Sequence, residues 1–245
     1  MSFLAKANAT VVAQDPFTSD TNQETSLGDT IVLADGRRFN YGLAGASNIS
    51  RGKLQTAPAP KANHHNMTTA AAAIGVTQVT VTLGATAAVA DEYDEGFLVV
   101  SVTPGQGQSY KVKFNPAAAS SATCAVDLFD PINVALSTAS KTNLVHNHMR
   151  KVVESTTQTT RACGVPLISL TAANYGWMQR TGVTPVLADG TIALGSLIGV
   201  SGSVAGAVIV NSGTYATALA ITQVGQASVM AGVDTEYRPM VLNIA

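Results

Sequence analysis

Along most of this chain, apolar and polar positions alternate in short runs broken by turn formers, a pattern that predicts strands. The clearest case is Val76–Leu83: Val79, Val81 and Leu83 alternate with Thr80 and Thr82, as in a strand with one buried face. Phe97–Val102 and Ser109–Asn115 flank Pro104-Gly105-Gln106-Gly107-Gln108 and predict a hairpin. Thr30–Leu33 and Arg38–Tyr41 flank Ala34-Asp35-Gly36, and Asp-Gly between β-prone runs is a strong hairpin signal. Further strands are expected at Cys124–Asp130, Ile132–Leu136, Lys151–Ser155, Gly164–Leu170 and Tyr175–Gln179, and in the alternating C-terminal segment. The string VLADG occurs at 32–36 and again at 186–190, which reads as a recurring hairpin. Met67–Ala73 and Ala85–Ala90 are the helix-compatible stretches, and both lack caps and an amphipathic repeat.

Residues 1–26 have no such period. They are polar and rich in turn formers, with Phe3, Leu4, Val11, Val12 and Phe17 as scattered apolar anchors, and predict an extended N-terminal arm that docks on a neighbour. Pro58 and Pro60 mark an extended connector. The expected architecture is all-β: short-stranded β-barrel or sandwich domains over 27–149 and 150–245, preceded by the arm.

Composition sharpens this picture. The chain has 245 residues, of which 46% are hydrophobic but only 12% charged and 5% aromatic, and its net charge is −1. Small and β-branched side chains fill the place of charge, which suits sheets. No basic cluster exceeds Arg37-Arg38 or Arg150-Lys151, so nucleic acid is not an expected partner. A nearly neutral, charge-poor surface is poorly suited to a dilute monomer, which points to a homo-oligomer, with a trimer expected. The N-terminus lacks a signal-peptide pattern and no apolar run reaches spanning length, so cytoplasmic synthesis and no membrane partner are expected.

Candidate chemistry is sparse. Cys124 and Cys163 match no zinc or redox spacing and are expected as buried small hydrophobes. The pairs His64-His65 and His146/His148 are the candidate metal ligands, because H-x-H on a strand would turn both rings to one face. No carboxylate partner is adjacent to either pair, so polar loops are the preferred reading and no metal is expected. Asp91, Glu92, Asp94 and Glu95 lack calcium-loop spacing and read as a solvated turn. No catalytic set or cofactor cradle is recognised. Trp177 and its neighbour Tyr175 are expected in a core or a subunit interface.

Three segments, LADGRRFNYGLAGASNISRGKL, GQSYKVKFNPAAAS and NYGWMQRTGVTPVLADGTIALGS, resemble tailed-bacteriophage virion proteins of the head-decoration (capsid cement) or minor capsid kind. The resemblance implies binding to the outer surface of an assembled major capsid protein shell, homotrimers or dimers, a place in the virion, and no catalysis. A phage tail or fibre module, with carbohydrate binding, is the alternative; a zinc-dependent hydrolase using the histidines is a third.

Overall fold

The computed structural model describes residues 15–211 and 221–244, and among these the fold is all-β with a single 3-10 turn at Ala62–His64. In chain order the strands are β1 (Ser19–Asp20), β2 (Thr30–Val32), β3 (Arg38–Leu43), β4 (Gln55–Thr56), β5 (Met67–Thr69), β6 (Gln78–Thr82), β7 (Phe97–Val102), β8 (Ser109–Phe114), β9 (Thr123–Leu128), β10 (Lys141–Val145), β11 (Ala162–Pro166), β12 (Tyr175–Leu187), β13 (Leu197–Val200), β14 (Val208–Val210), β15 (Gln223–Gln226) and β16 (Tyr237–Asn243).

The chain forms two units, and their boundaries differ from those expected. One unit is the continuous segment 58–148; the other combines residues up to Ala57 with those from Met149 onward. The segment 27–57 thus belongs with the C-terminal strands, because β3 pairs along β12 from Tyr175↔Leu43 to Thr181↔Arg38. Only that long-range pairing covers the otherwise exposed edge of the β2–β3 hairpin.

In the 58–148 unit, β10-β5-β6-β9-β8-β7 close into a barrel, with β7 returning to β10. Alternation selects the inner face: Val79 and Val81 of β6, Leu98 and Val100 of β7, and Val112 of β8 are fully buried, while their neighbours point outward. Thr69 and Thr142, buried on β5 and β10, satisfy each other's hydroxyls at 3.1 Å. Each buried Val or Leu contributes about 1.5–3 kcal/mol of apolar transfer.

The other unit is an open sheet in the order β14-β13-β15-β16-β12-β11-β4, with β1 and β3 also on β12 and β2 on β3. The long β12 spans two cores. Trp177 and Met178 pack with Phe39, Tyr41, Leu43 and Ile49 in one, and Val186 packs with Ile198, Val224, Met240 and Leu242 in the other.

One device recurs in both units. Four antiparallel bridges outside the strands, Ile49↔Leu170, Ala72↔Leu136, Ala88↔Ala118 and Ile192↔Gly232, each exchange two backbone hydrogen bonds of 2.8–3.1 Å. In seven of the eight arms the residue after the bridge accepts a bond from the amide three positions on, closing a tight turn, and a strand begins within two residues. The third position after the bridge has positive φ in seven arms, occupied by Gly52, Gly75, Asp91, Ser121, Ala173, Gly195 and Thr235. Gly52 is required on a second ground, since a Cβ there would lie 2.7 Å from the Tyr237 ring.

Several expected strands are shorter than their sequence pattern. Ile132–Leu136 keeps only the bridge at Leu136, and Lys151–Ser155 only those at Val152 and Val153, because Lys151 bends the chain with φ 57°. Met67–Ala73 and Ala85–Ala90 are not helical: the first contains β5 and the second contains the Ala88 bridge. The two VLADG strings both leave a strand into a turn, with Gly36 at φ 84° and Gly190 at φ 77°.

Candidate functional site

The densest set of titratable side chains lies in the barrel unit, and it is internal. His64, fully buried at the end of the 3-10 turn, bonds Tyr93 Oη through Nδ1 and meets the Thr86 carbonyl at 2.9 Å through Nε2. Tyr93, itself fully buried, stacks on His146 with ring centroids 4.5 Å apart. His146 Nε2 is 3.6 Å from Glu92 Oε1, and Lys61 Nζ pairs with the same oxygen at 2.5 Å. Glu92 Oε2 accepts the Val89 amide at 3.1 Å.

Burial opposes ionisation of Glu92, but the Lys61 ammonium, the Val89 amide and His146 outweigh it and hold the carboxyl below its ordinary value. Burial pushes the Tyr93 hydroxyl up, with the Glu92 charge adding to it, so it stays protonated as a donor or acceptor. Both ring nitrogens of His64 are engaged, which leaves no lone pair for a metal.

The histidine pairs are therefore not brought together as ligands. His64 is buried and His65 exposed. His146 and His148 follow the end of β10, so the geometry in which a strand turns both rings to one face does not apply. Among the described residues no group of three or more His, Cys, Asp or Glu side chains could hold a metal ion.

The acidic tract is not the solvated turn expected. Glu92 and Glu95 are buried, Glu95 facing Lys111 at 3.9 Å. Sequence reasoning missed this because Tyr93, the apolar anchor that pulls the tract inward, stood inside a run of four acids.

A second feature is a cleft of about 450 Å³ in the sheet unit, lined by Arg51, Pro166, Leu167, Ser169, Pro185 and Tyr237 among others. Its walls are tied together: the Arg51 amide bonds Ser169 Oγ at 3.2 Å and the Gly52 amide bonds the Pro166 carbonyl at 3.0 Å. Tyr237 is half exposed and lines the cleft together with Ser50, Arg51 and Ser169.

Of the expected interface residues, Trp177 is core: it is 2% exposed and packs against Tyr41 at 5.1 Å. Its aromatic bulk serves the unit's own interior rather than a partner's. Tyr175 is half-buried and stacks on Tyr41, and its strand position pairs with Asp20 of β1. Phe17 is 55% exposed. Phe3, Leu4, Val11 and Val12 lie outside the described residues. Cys124 and Cys163 are both buried thiols, as expected, and burial pushes both up.

Comparison with protein-family models, curated proteins and solved structures returned no match. No helix among the described residues is long and apolar enough to cross a membrane.

Proposed function

We propose that this chain is a structural protein of a tailed-phage virion, which binds the outer surface of an assembled capsid as a homo-oligomer and stabilises it. The observation that carries the reading is the number of large apolar side chains left exposed on a chain so poor in charge. In the barrel unit Ile74, Val89 and Phe97 are 65, 51 and 44% exposed; in the sheet unit Val32 and Leu194 are 60 and 63% exposed. A surface of that kind is stabilised by being covered. The resemblance of three segments to head-decoration proteins supplies the partner, the major capsid protein. The reading assigns no catalytic step, cofactor, nucleic acid or membrane to the chain.

Cosedimentation with empty heads of the phage that encodes the chain tests this. Saturable binding that raises the temperature at which heads rupture is the expected result. Absence from heads, together with recovery from purified tails, would overturn it.

The cleft lined by Tyr237, Arg51, Ser50 and Ser169 favours a second reading, a carbohydrate-binding tail module, since an exposed aromatic side chain among polar residues suits a sugar. Glycan binding lost in Tyr237→Ala, with no affinity for heads, would select it.

A further inference from the structure

We infer that the cleft lined by Arg51 and Tyr237 takes the carboxylate of an acidic sugar residue, of the uronic-acid or sialic-acid class. The inference rests on the carbohydrate reading of this cleft and adds the charge of the ligand. It does not depend on where in a virion the chain sits.

The cleft is built on backbone that is already fixed. The Ile49↔Leu170 bridge, with hydrogen bonds of 3.0 Å in both directions, holds together the two segments that carry Ser50 and Ser169. Gly52 is anchored on both sides: its amide donates to the Pro166 carbonyl at 3.0 Å, and its carbonyl accepts the Leu187 amide at 3.0 Å. The Tyr237 ring rests so close to Gly52 that a Cβ there would lie 2.7 Å from it. A wall with so little left to order loses less entropy when a ligand binds.

Arg51 is the one charged side chain in the described lining. Its guanidinium has no carboxylate partner among the described residues. The acids nearest along the structure are already neutralised. Glu154, which accepts the Ser50 amide at 2.7 Å, pairs with Lys53 at 2.8 Å, and Glu236 pairs with Arg238 at 2.5 Å. Ser169 Oγ accepts the Arg51 amide at 3.2 Å, which leaves its own proton to donate. The hydroxyls of Ser50 and Tyr237 have no hydrogen-bond partner among the described residues.

These groups select the ligand. A guanidinium fork matches a carboxylate through two parallel hydrogen bonds. A phosphate monoester, with about two charges, calls for further cations or open backbone amides. Here the amides of Ser50, Arg51 and Gly52 are spent on Glu154, Ser169 and Pro166, and Pro166 and Pro185 have none. The same shortage disfavours a peptide, whose docking as a strand draws on main-chain hydrogen bonds. What remains is one cation, hydroxyls, and the apolar surface of Leu167, the two prolines and Tyr237. That set fits a ring bearing hydroxyls and a single carboxylate.

An array of short saccharides ending in glucuronic, galacturonic or sialic acid, each beside its methyl ester, tests the inference on the full chain. At least one acid should bind saturably, and its uncharged ester about tenfold more weakly or less still. Arg51→Gln should lose the acid to a similar extent, and Arg51→Lys should recover only part of it, because an ammonium lacks the fork. Arg51 is exposed, so both variants should keep the wild-type circular dichroism. Arg38→Gln, an exposed arginine on β3, should bind as wild type, which separates recognition from general charge attraction. Equal binding of acids and esters, lost in Tyr237→Ala, overturns this inference and leaves the carbohydrate reading standing. Binding of no saccharide at millimolar concentration removes both. Acid binding that survives Arg51→Gln, or tighter binding of an acetylated tripeptide with a free carboxylate, also overturns the inference.

Discussion

The two units solve the same problem differently. The barrel pairs every one of its six strands on both sides, so its polar groups and its only dense charge cluster can be drawn inward around Tyr93. The sheet unit uses the same bridge-and-turn device to start its strands, yet among the described residues it leaves β1, β2, β4 and β14 each paired with a strand on one side only. Closure lets a unit be complete alone. An open sheet leaves strand edges and apolar side chains that a neighbour can cover.

The largest expected difference between the units follows from Trp177. Trp177→Ala removes the largest fully buried side chain of the sheet unit and should cost about 3–5 kcal/mol there. Hydrogen exchange should show the barrel amides unchanged. Loss of protection in both units together would show that they unfold as one.

The mirror experiment uses Gly96, between the acidic tract and β7. A Cβ at this position would lie 2.2 Å from the Val145 carbonyl and 2.8 Å from that of Tyr93. Both contacts are backbone, so Gly96→Ala should destabilise the barrel by about 1–3 kcal/mol through overpacking. Denaturant unfolding followed by barrel-specific amide signals reads this out.

Tyr93→Phe should cost somewhat less, about 1–2 kcal/mol, because it leaves one nitrogen of buried His64 without its partner while keeping the ring stack on His146. If the variant is as stable as wild type, the His64 contact contributes nothing net.

Much of the strand pattern was legible in the sequence, and the reason is local. The alternation of Val79, Val81, Leu98 and Val100 is a property of each strand alone, and the Asp35-Gly36 turn fixes the β2–β3 hairpin from four residues. The domain division was not legible. It depends on Asn40 meeting Met178 across the whole barrel insertion, and no local pattern records that partner. The recurring bridge device was hidden as well, because its bridging positions are Ile, Leu, Ala and Gly alike; backbone hydrogen bonds define it, not side chains. The buried cluster was half visible. All four histidines and all four acids stood out, but the contact that organises them runs from His64 to Tyr93, and a tyrosine among acids gives no sign that it is buried.

The smallest expected effect concerns acid. Glu92 ionises more readily in the folded chain than in the unfolded one, so its contribution is fully present above the ordinary glutamate value of 4.5. It is lost as pH falls through the lower folded value. Glu92→Gln should therefore flatten the barrel's stability-against-pH curve on the acid side of 4.5 and leave the sheet unit's curve unchanged. An unaltered acid limb in the variant would mean that Lys61 and His146 do not stabilise the carboxylate.

Amide hydrogen exchange as a function of protein concentration tests most directly the claim that the barrel is closed and the sheet is not. Protection along the singly paired strands β1, β2, β4 and β14 should rise with concentration while that of β5 to β10 stays constant. Protection independent of concentration in those four strands, or a rise confined to the barrel, would contradict the account.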